Sequence, residues 1–162
     1  MYKVRYNMGI NFRNLGMLNE SVDAFKKAVD LNERPAAYNL SGLSNFENEN
    51  YSNAVKDFNE AIKKSKSAVA VHFNNRGLAF YHLNENQKAL DDFSKALEIN
   101  ERDPNVLYNR GNVLMGLNRF NEARQDFDDA IRLQPTRPKY YHAKGLAFEA
   151  ESILMEEQLL KS

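Results

Sequence analysis

The chain has no cysteine, which excludes disulfides and thiolate metal sites and agrees with an intracellular address. Nor does it carry a surplus of either charge: 22 basic and 22 acidic residues cancel, and no block of like charge stands out. With no basic stripe to neutralise phosphates or lipid headgroups, neither nucleic acid nor a membrane surface is expected as a partner. No apolar run approaches the roughly 20 residues that span a bilayer, and the opening stretch MYKVRYNMGINFRN lacks the apolar centre of a secretory signal. A soluble, intracellular, cytoplasmic chain is therefore expected. Histidine is scarce, and His72, His82 and His142 stand neither three or four residues from one another nor in an HExxH frame. Gly-rich phosphate loops, a GxSxG elbow and kinase signatures are missing too. Adjacent carboxylates such as Asp91 and Asp92, or Asp128 and Asp129, splay around a helix instead of converging. The chain reads as a non-enzyme, with no catalytic residue, metal or cofactor expected.

What the sequence does contain is a repeat. Gly77 is followed at twelve, sixteen and nineteen residues by Ala89, Phe93 and Ala96. The same intervals recur at Gly111, Ala123, Phe127 and Ala130, and at Gly42, Ala54, Phe58 and Ala61. A first copy differs by one small residue: Gly9, Ser21, Phe25, Ala28. The glycines are spaced 33, 35, 34 and 34 residues apart from Gly9 to Gly145, so single-residue changes fall between units.

Each unit predicts two helices. In the third, Phe73, Gly77 and Phe80 recur at three or four residues, Asn84, Glu85 and Asn86 interrupt, and Ala89, Leu90, Phe93, Ala96 and Leu97 make a second apolar face. Small Gly and Ala residues let two helix backbones approach closely, and Phe25, Phe58, Phe93 and Phe127 are expected to fill the space between neighbouring hairpins. Proline punctuates the pattern: Pro35 opens the second unit, Pro104 the fourth, and Pro135 and Pro138 separate the fourth from the C-terminal stretch.

These units resemble tetratricopeptide repeats, which place an aromatic, a Gly, a second aromatic, then Ala, Phe, Ala and Pro at such intervals. The likeness is closest in VHFNNRGLAFYHLNENQKALDDFSKALEIN and VLYNRGNVLMGLNRFNEARQDFDDAIRLQP. It implies an all-α fold, a right-handed superhelical solenoid of stacked antiparallel helix pairs. Residues 1–162 are expected to form a single array, with repeats at 2–34, 35–69, 70–103 and 104–137 and a partial fifth repeat or capping helix at 138–162. Departures from the pattern are Arg5 and Asn45 at aromatic places, and Lys66 and Glu101 at the final proline; looser packing is expected there. In the fifth unit Tyr141, Gly145 and Phe148 fit, but Glu157 and Lys161 stand at the Ala and Phe places. No Gly or Asn interrupts Leu146 to Leu160, so one continuous helix is expected. Its apolar Ile153, Leu154, Leu159 and Leu160 suit a helix that folds back on the last hairpin, packs on another chain, or continues into a longer array.

The resemblance further implies that first helices line a concave side. Its groove places fall on Tyr6, Ile10 and Arg13; Asn39, Leu43 and Phe46; Asn74, Leu78 and Tyr81; Tyr108, Asn112 and Met115; and, in the last helix, His142, Leu146 and Glu149. Aromatics supply rigid contact area and carboxamides both donate and accept, a lining suited to an extended peptide or an amphipathic helix. Superhelical members of the family carry an asparagine ladder two places before the Gly, where this chain has Asn7, Asn75 and Asn109, with Leu40 and Ala143 breaking the series. The family's carboxylate clamp, which holds acidic chaperone tails, finds Asn74, Leu78, Asn109, Lys139 and Ala143 in its best register, and only Asn109 and Lys139 fit. Arg76, Arg110 and Lys144 directly precede glycines and are expected to form salt bridges within the array, with Glu98 and Asp103 as nearby acids. Two functions are consistent with these features: a peptide-binding scaffold or adaptor that uses its groove, and a structural element that assembles with itself or a larger complex through its ends and convex face. The co-chaperone clamp is the weaker third.

Overall fold

The computed structural model describes residues 1–161, which hold nine α-helices and no strand. They are α1 (Tyr2–Asn14), α2 (Leu18–Leu31), α3 (Pro35–Glu47), α4 (Tyr51–Lys64), α5 (Ala70–His82), α6 (Asn86–Ile99), α7 (Pro104–Gly116), α8 (Phe120–Leu133) and α9 (Pro138–Leu160). The helices belong to two compact units, one of Met1–Glu85 with α1 to α5 and one from Asn86 on with α6 to α9.

Local chemistry sets where each helix stops. Gly16, Glu49, Asn84 and Asn118 take positive φ, 73°, 57°, 59° and 58°, at the ends of α1, α3, α5 and α7. At each end the next residue's N–H reaches back five positions: Met17 to Phe12, Asn50 to Asn45, Glu85 to Phe80 and Arg119 to Leu114, at 2.8–2.9 Å. This left-handed cap satisfies the last carbonyls and turns the chain back sharply. At the other junctions, Pro35, Pro104 and Pro138 begin α3, α7 and α9, where a missing N–H costs nothing. Asp103 adds a side-chain cap, accepting from the N–H groups of Asn105 and Val106 at 2.9 and 3.3 Å.

Packing inside a hairpin turns on the pairing of glycine with phenylalanine. A Cβ built on Gly9 would lie 2.7 Å from the Phe25 ring, on Gly42 2.6 Å from Phe58, and on Gly111 2.5 Å from Phe127. Each of these rings is fully buried against the first helix of its own hairpin. The absent side chain of glycine makes the seat within the hairpin. Phe58 also shares a buried cluster with Ala79 of the following helix, joined by Leu43, Phe46 and Val55.

Asn45 is likewise not loosely packed. It is 4% exposed and donates through Nδ2 to Asp57 Oδ2 at 2.8 Å, so a hydrogen bond replaces the ring expected there. Ser21, at an alanine place, donates to the carbonyl of Gly9 at 2.9 Å and lies 2.8 Å from Ser44 Oγ, tying α1, α2 and α3 together.

In the first unit α1 touches α3 and α3 touches α5; in the second α7 touches α9. No such contact joins α2 to α4 or α6 to α8 among the described residues. Each unit therefore bends with its first helices on the inside.

Candidate functional site

The inner face of the first unit is built from α1, α3 and α5. On α1, Tyr6 stacks on Tyr2 at 5.7 Å and meets the edge of Phe25 at 5.8 Å, while Ile10 is half-buried and Asn7 exposed. Arg13 forms an ion pair with Glu47 of α3, with its Nε 3.0 Å from Oε2, which pins the two helices at one end of the face. On α3, Phe46 meets Tyr51 and His82 edge-on at 5.3 and 5.2 Å, and Tyr51 stacks on His82 at 4.5 Å. Leu43, Asn74 and Leu78 are half-buried, and Tyr81 is 39% exposed beside His82.

Asn39 organises the polar part of this face. Its Oδ1 accepts from Asn75 Nδ2 at 3.1 Å and lies 3.0 Å from His72 Nδ1. Asn75, expected on a ladder open to a ligand, is 8% exposed, and its own Oδ1 accepts from Asn74 at 3.4 Å. His72 is 7% exposed, and burial lowers its pKa, which keeps the imidazole neutral so that Nδ1–H can donate to Asn39. Because the carboxamide oxygen of Asn39 is fixed by two donors, its Nδ2 faces the other way, committed to no partner among the described residues. The sequence pattern did not single out His72 as a member of this group. Its signal was its place three residues before Asn75, one helical turn away on the same face.

The second unit contributes α7 and α9. Tyr108 is half-buried, 6.0 Å from the Phe127 ring and 5.6 Å from Tyr140. Lys139 sets its ammonium 4.8 Å from the centre of the Tyr108 ring and 5.1 Å from that of Tyr140, and donates to Asn105 Oδ1 at 3.0 Å. Asn109, Asn112 and Met115 are half-buried, and His142, Leu146 and Glu149 are exposed. No group of three His, Asp or Glu side chains suited to a metal occurs among the described residues. No helix there is long and apolar enough to cross a membrane.

The cations before the glycines are engaged, but not by the acids nearest in sequence. Arg110 forms a bidentate pair with Asp126, at 2.8 Å from Nε and 2.7 Å from Nη2, and Lys144 pairs with Asp128 at 2.6 Å. Glu98 instead pairs with Lys95 and Asp103 caps α7. Arg76 donates to Asn59 at 2.7 Å and lies over the rings of Phe73 and Phe80 at 5.6 and 5.7 Å. A register could have identified the acid: Asp126 stands sixteen residues after Arg110, as Asp57 does after Ser41, whose hydroxyl donates to it at 2.7 Å.

Comparison with known proteins gives these features a family context. Residues 6–69 and 104–137 match the family described as tetratricopeptide repeat, and residues 77–118 match the one described as TPR repeat. The human protein named tetratricopeptide repeat protein 6 is 30% identical over 134 residues, covering 82% of this chain and 25% of that one. The chain thus spans about a quarter of that relative's length. Among solved structures, MamA superposes with a TM-score of 0.86 at 18% identity, over 96% of this chain and 85% of that one. YrrB, described as a TPR protein with an unusual peptide-binding site, superposes with a TM-score of 0.77 at 20% identity, over 91% and 76%. These likenesses establish an all-α solenoid of antiparallel helix pairs.

Proposed function

We propose, for a chain that belongs to the tetratricopeptide-repeat family, that it serves as a scaffold whose inner first-helix faces hold an extended peptide or an amphipathic helix. Family membership supports a protein-interaction scaffold in general; what favours peptide capture is the inner face itself. The reading takes residues 1–162 as one array, with repeats at 2–34, 35–69, 70–103 and 104–137 followed by α9.

One observation carries it: Asn39 offers an uncommitted amide nitrogen from a face shared with Tyr6, Ile10, Leu43, Leu78 and Tyr81. An extended backbone presents carbonyls at regular spacing, and a carboxamide donor held rigidly by His72 and Asn75 meets one without first being ordered. Asn75 then acts by orienting Asn39, while Asn109 and Asn112 are the contact residues of the second unit. The peptide-binding site named for the related fold of YrrB agrees with this use of the fold.

The test is selection of a binder from a random twelve-residue peptide library, followed by fluorescence anisotropy. Asn39→Ala and Asn75→Ala should each weaken the selected peptide about tenfold, the value of one well-placed hydrogen bond. Lys26→Ala, on the second-helix side, should leave affinity unchanged. A library that yields no binder, or a binder sensitive to Lys26 and indifferent to Asn39, overturns the reading.

A further inference from the structure

The last helix carries more apolar surface than its own unit covers. Tyr140, Ala143 and Ala147 of α9 are buried against the preceding helices, yet Tyr141, Leu146, Phe148, Ile153, Met155 and Leu159 are all more than 40% exposed. Apolar side chains gathered in this number on the exposed part of one helix mark a surface that another element covers. Tyr141, Gly145, Phe148, Ser152, Met155 and Leu159 succeed one another at intervals of four, three, four, three and four, the seam of a helix pair. Gly145 lies in this seam with nothing within 4 Å of where its Cβ would be, although Gly9, Gly42 and Gly111 each seat a phenylalanine ring.

We propose that this seam is a homodimer interface in which α9 of one chain pairs antiparallel with α9 of a second copy. The length of the seam argues for this occupant. In the other hairpins the glycine face is covered by a second helix of 14 residues, about 21 Å long. From Tyr141 to Leu159 the exposed seam runs about 27 Å, and α9, at 23 residues, is the helix of this chain that matches it.

Side-chain size argues the same way. With a two-fold axis at the level of Ala150, Tyr141 faces the second copy's Leu159, the open Gly145 faces Met155, and Phe148 faces Ser152. Each small residue is set against a large one, so the surface is its own complement, as a two-fold interface requires. Charge does not oppose it: Glu151 is neutralised by an ion pair with Arg124 of its own chain, whose guanidinium also covers one side of the Phe148 ring at 4.4 Å, and Lys144, which falls opposite Glu156 of the second copy, is held by Asp128 of its own chain.

Sedimentation equilibrium over a range of concentrations tests the pairing. The intact chain should approach twice the one-chain mass, and Met155→Glu, which introduces a charge opposite Gly145, should hold at the one-chain mass with unchanged far-ultraviolet circular dichroism. The absence of cysteine permits a second, independent measurement. Oxidising a mixture of Gly145→Cys and Met155→Cys chains should cross-link the two forms to each other, while neither alone should cross-link. A one-chain mass at every concentration, or cross-linking of Gly145→Cys with itself, overturns the proposal.

Discussion

Asp57 and Asp126 occupy one place in their repeats, directly before the buried phenylalanine, and burial pushes both carboxyls above their ordinary pKa; what differs is the partner each one meets. Asp126 meets the guanidinium of Arg110 along two hydrogen bonds, so Asp126→Asn should leave that cation poorly matched and cost about 1–3 kcal/mol in urea denaturation at pH 7. For Asp57, burial pushes the carboxyl above its ordinary pKa; the hydrogen bonds from Ser41 and Asn45 and the charge of Lys26 pull it down without cancelling that push. The folded chain therefore holds this proton more tightly than the unfolded one. Its contribution is full below the unfolded pKa and is lost as pH rises through the folded value. Asp57→Asn keeps an oxygen for both donors, and should raise the urea midpoint at pH 7 by an amount that vanishes as the buffer is taken below about pH 4. A constant difference across that range would show that the charge is not the cause. Glycines diverge in the same way. Gly42→Ala drives a Cβ into the Phe58 ring and should cost about 1–3 kcal/mol. Gly145→Ala meets nothing in its own chain and should gain about 0.5–1 kcal/mol from helix propensity, measured at concentrations where the chain sediments as one copy.

Elements begin and end where a few residues dictate. Gly16, Asn84 and Asn118 tolerate the left-handed turn that closes each first helix, and Glu49 adopts the same φ with a side chain poorly suited to it. Glu49→Asn should therefore raise stability by about 0.5–1 kcal/mol without moving the helix ends, read by thermal melting. An unchanged melting temperature would mean that the turn is already unstrained. At the corresponding place in the fifth unit stands Ser152, and the chain runs straight through it as α9. The turn residues, the prolines and the three-and-four spacing of apolar side chains were all visible in the sequence. Phe25, Phe58 and Phe127 were legible as buried side chains, but not their seats on the glycines of their own hairpins.

The inner faces of the two units, each taken by itself, mix aromatic, carboxamide and aliphatic side chains. At the clamp places Asn74, Leu78, Asn109, Lys139 and Ala143, the one cation is Lys139, already set against two tyrosine rings and Asn105. An acidic peptide with a free C-terminus should bind at about 1 mM or weaker by calorimetry. Micromolar binding would show that cations elsewhere converge on it. The human relative and this chain share repeats over 82% of this chain, so interactions carried by the rest of that longer protein lie outside what the repeats determine.

Helix pairs, their period and the small residues that bring them together were determined by the sequence alone. These features depend on contacts one helical turn apart and on turn residues that act locally, and each repeat states them again. Tertiary structure decided which polar groups meet: Asn75 buried under Asn39 with His72, Arg110 on Asp126, Lys139 between tyrosines. His72 and Asn75 lie thirty-three and thirty-six residues from Asn39, and Lys139 thirty-one from Tyr108, and these come together only through the angle at which one hairpin packs on the next, whereas Arg110 and Asp126 meet within a single hairpin. A shift of one helical position there exchanges a buried carboxamide for an exposed one, and periodicity alone does not set that angle.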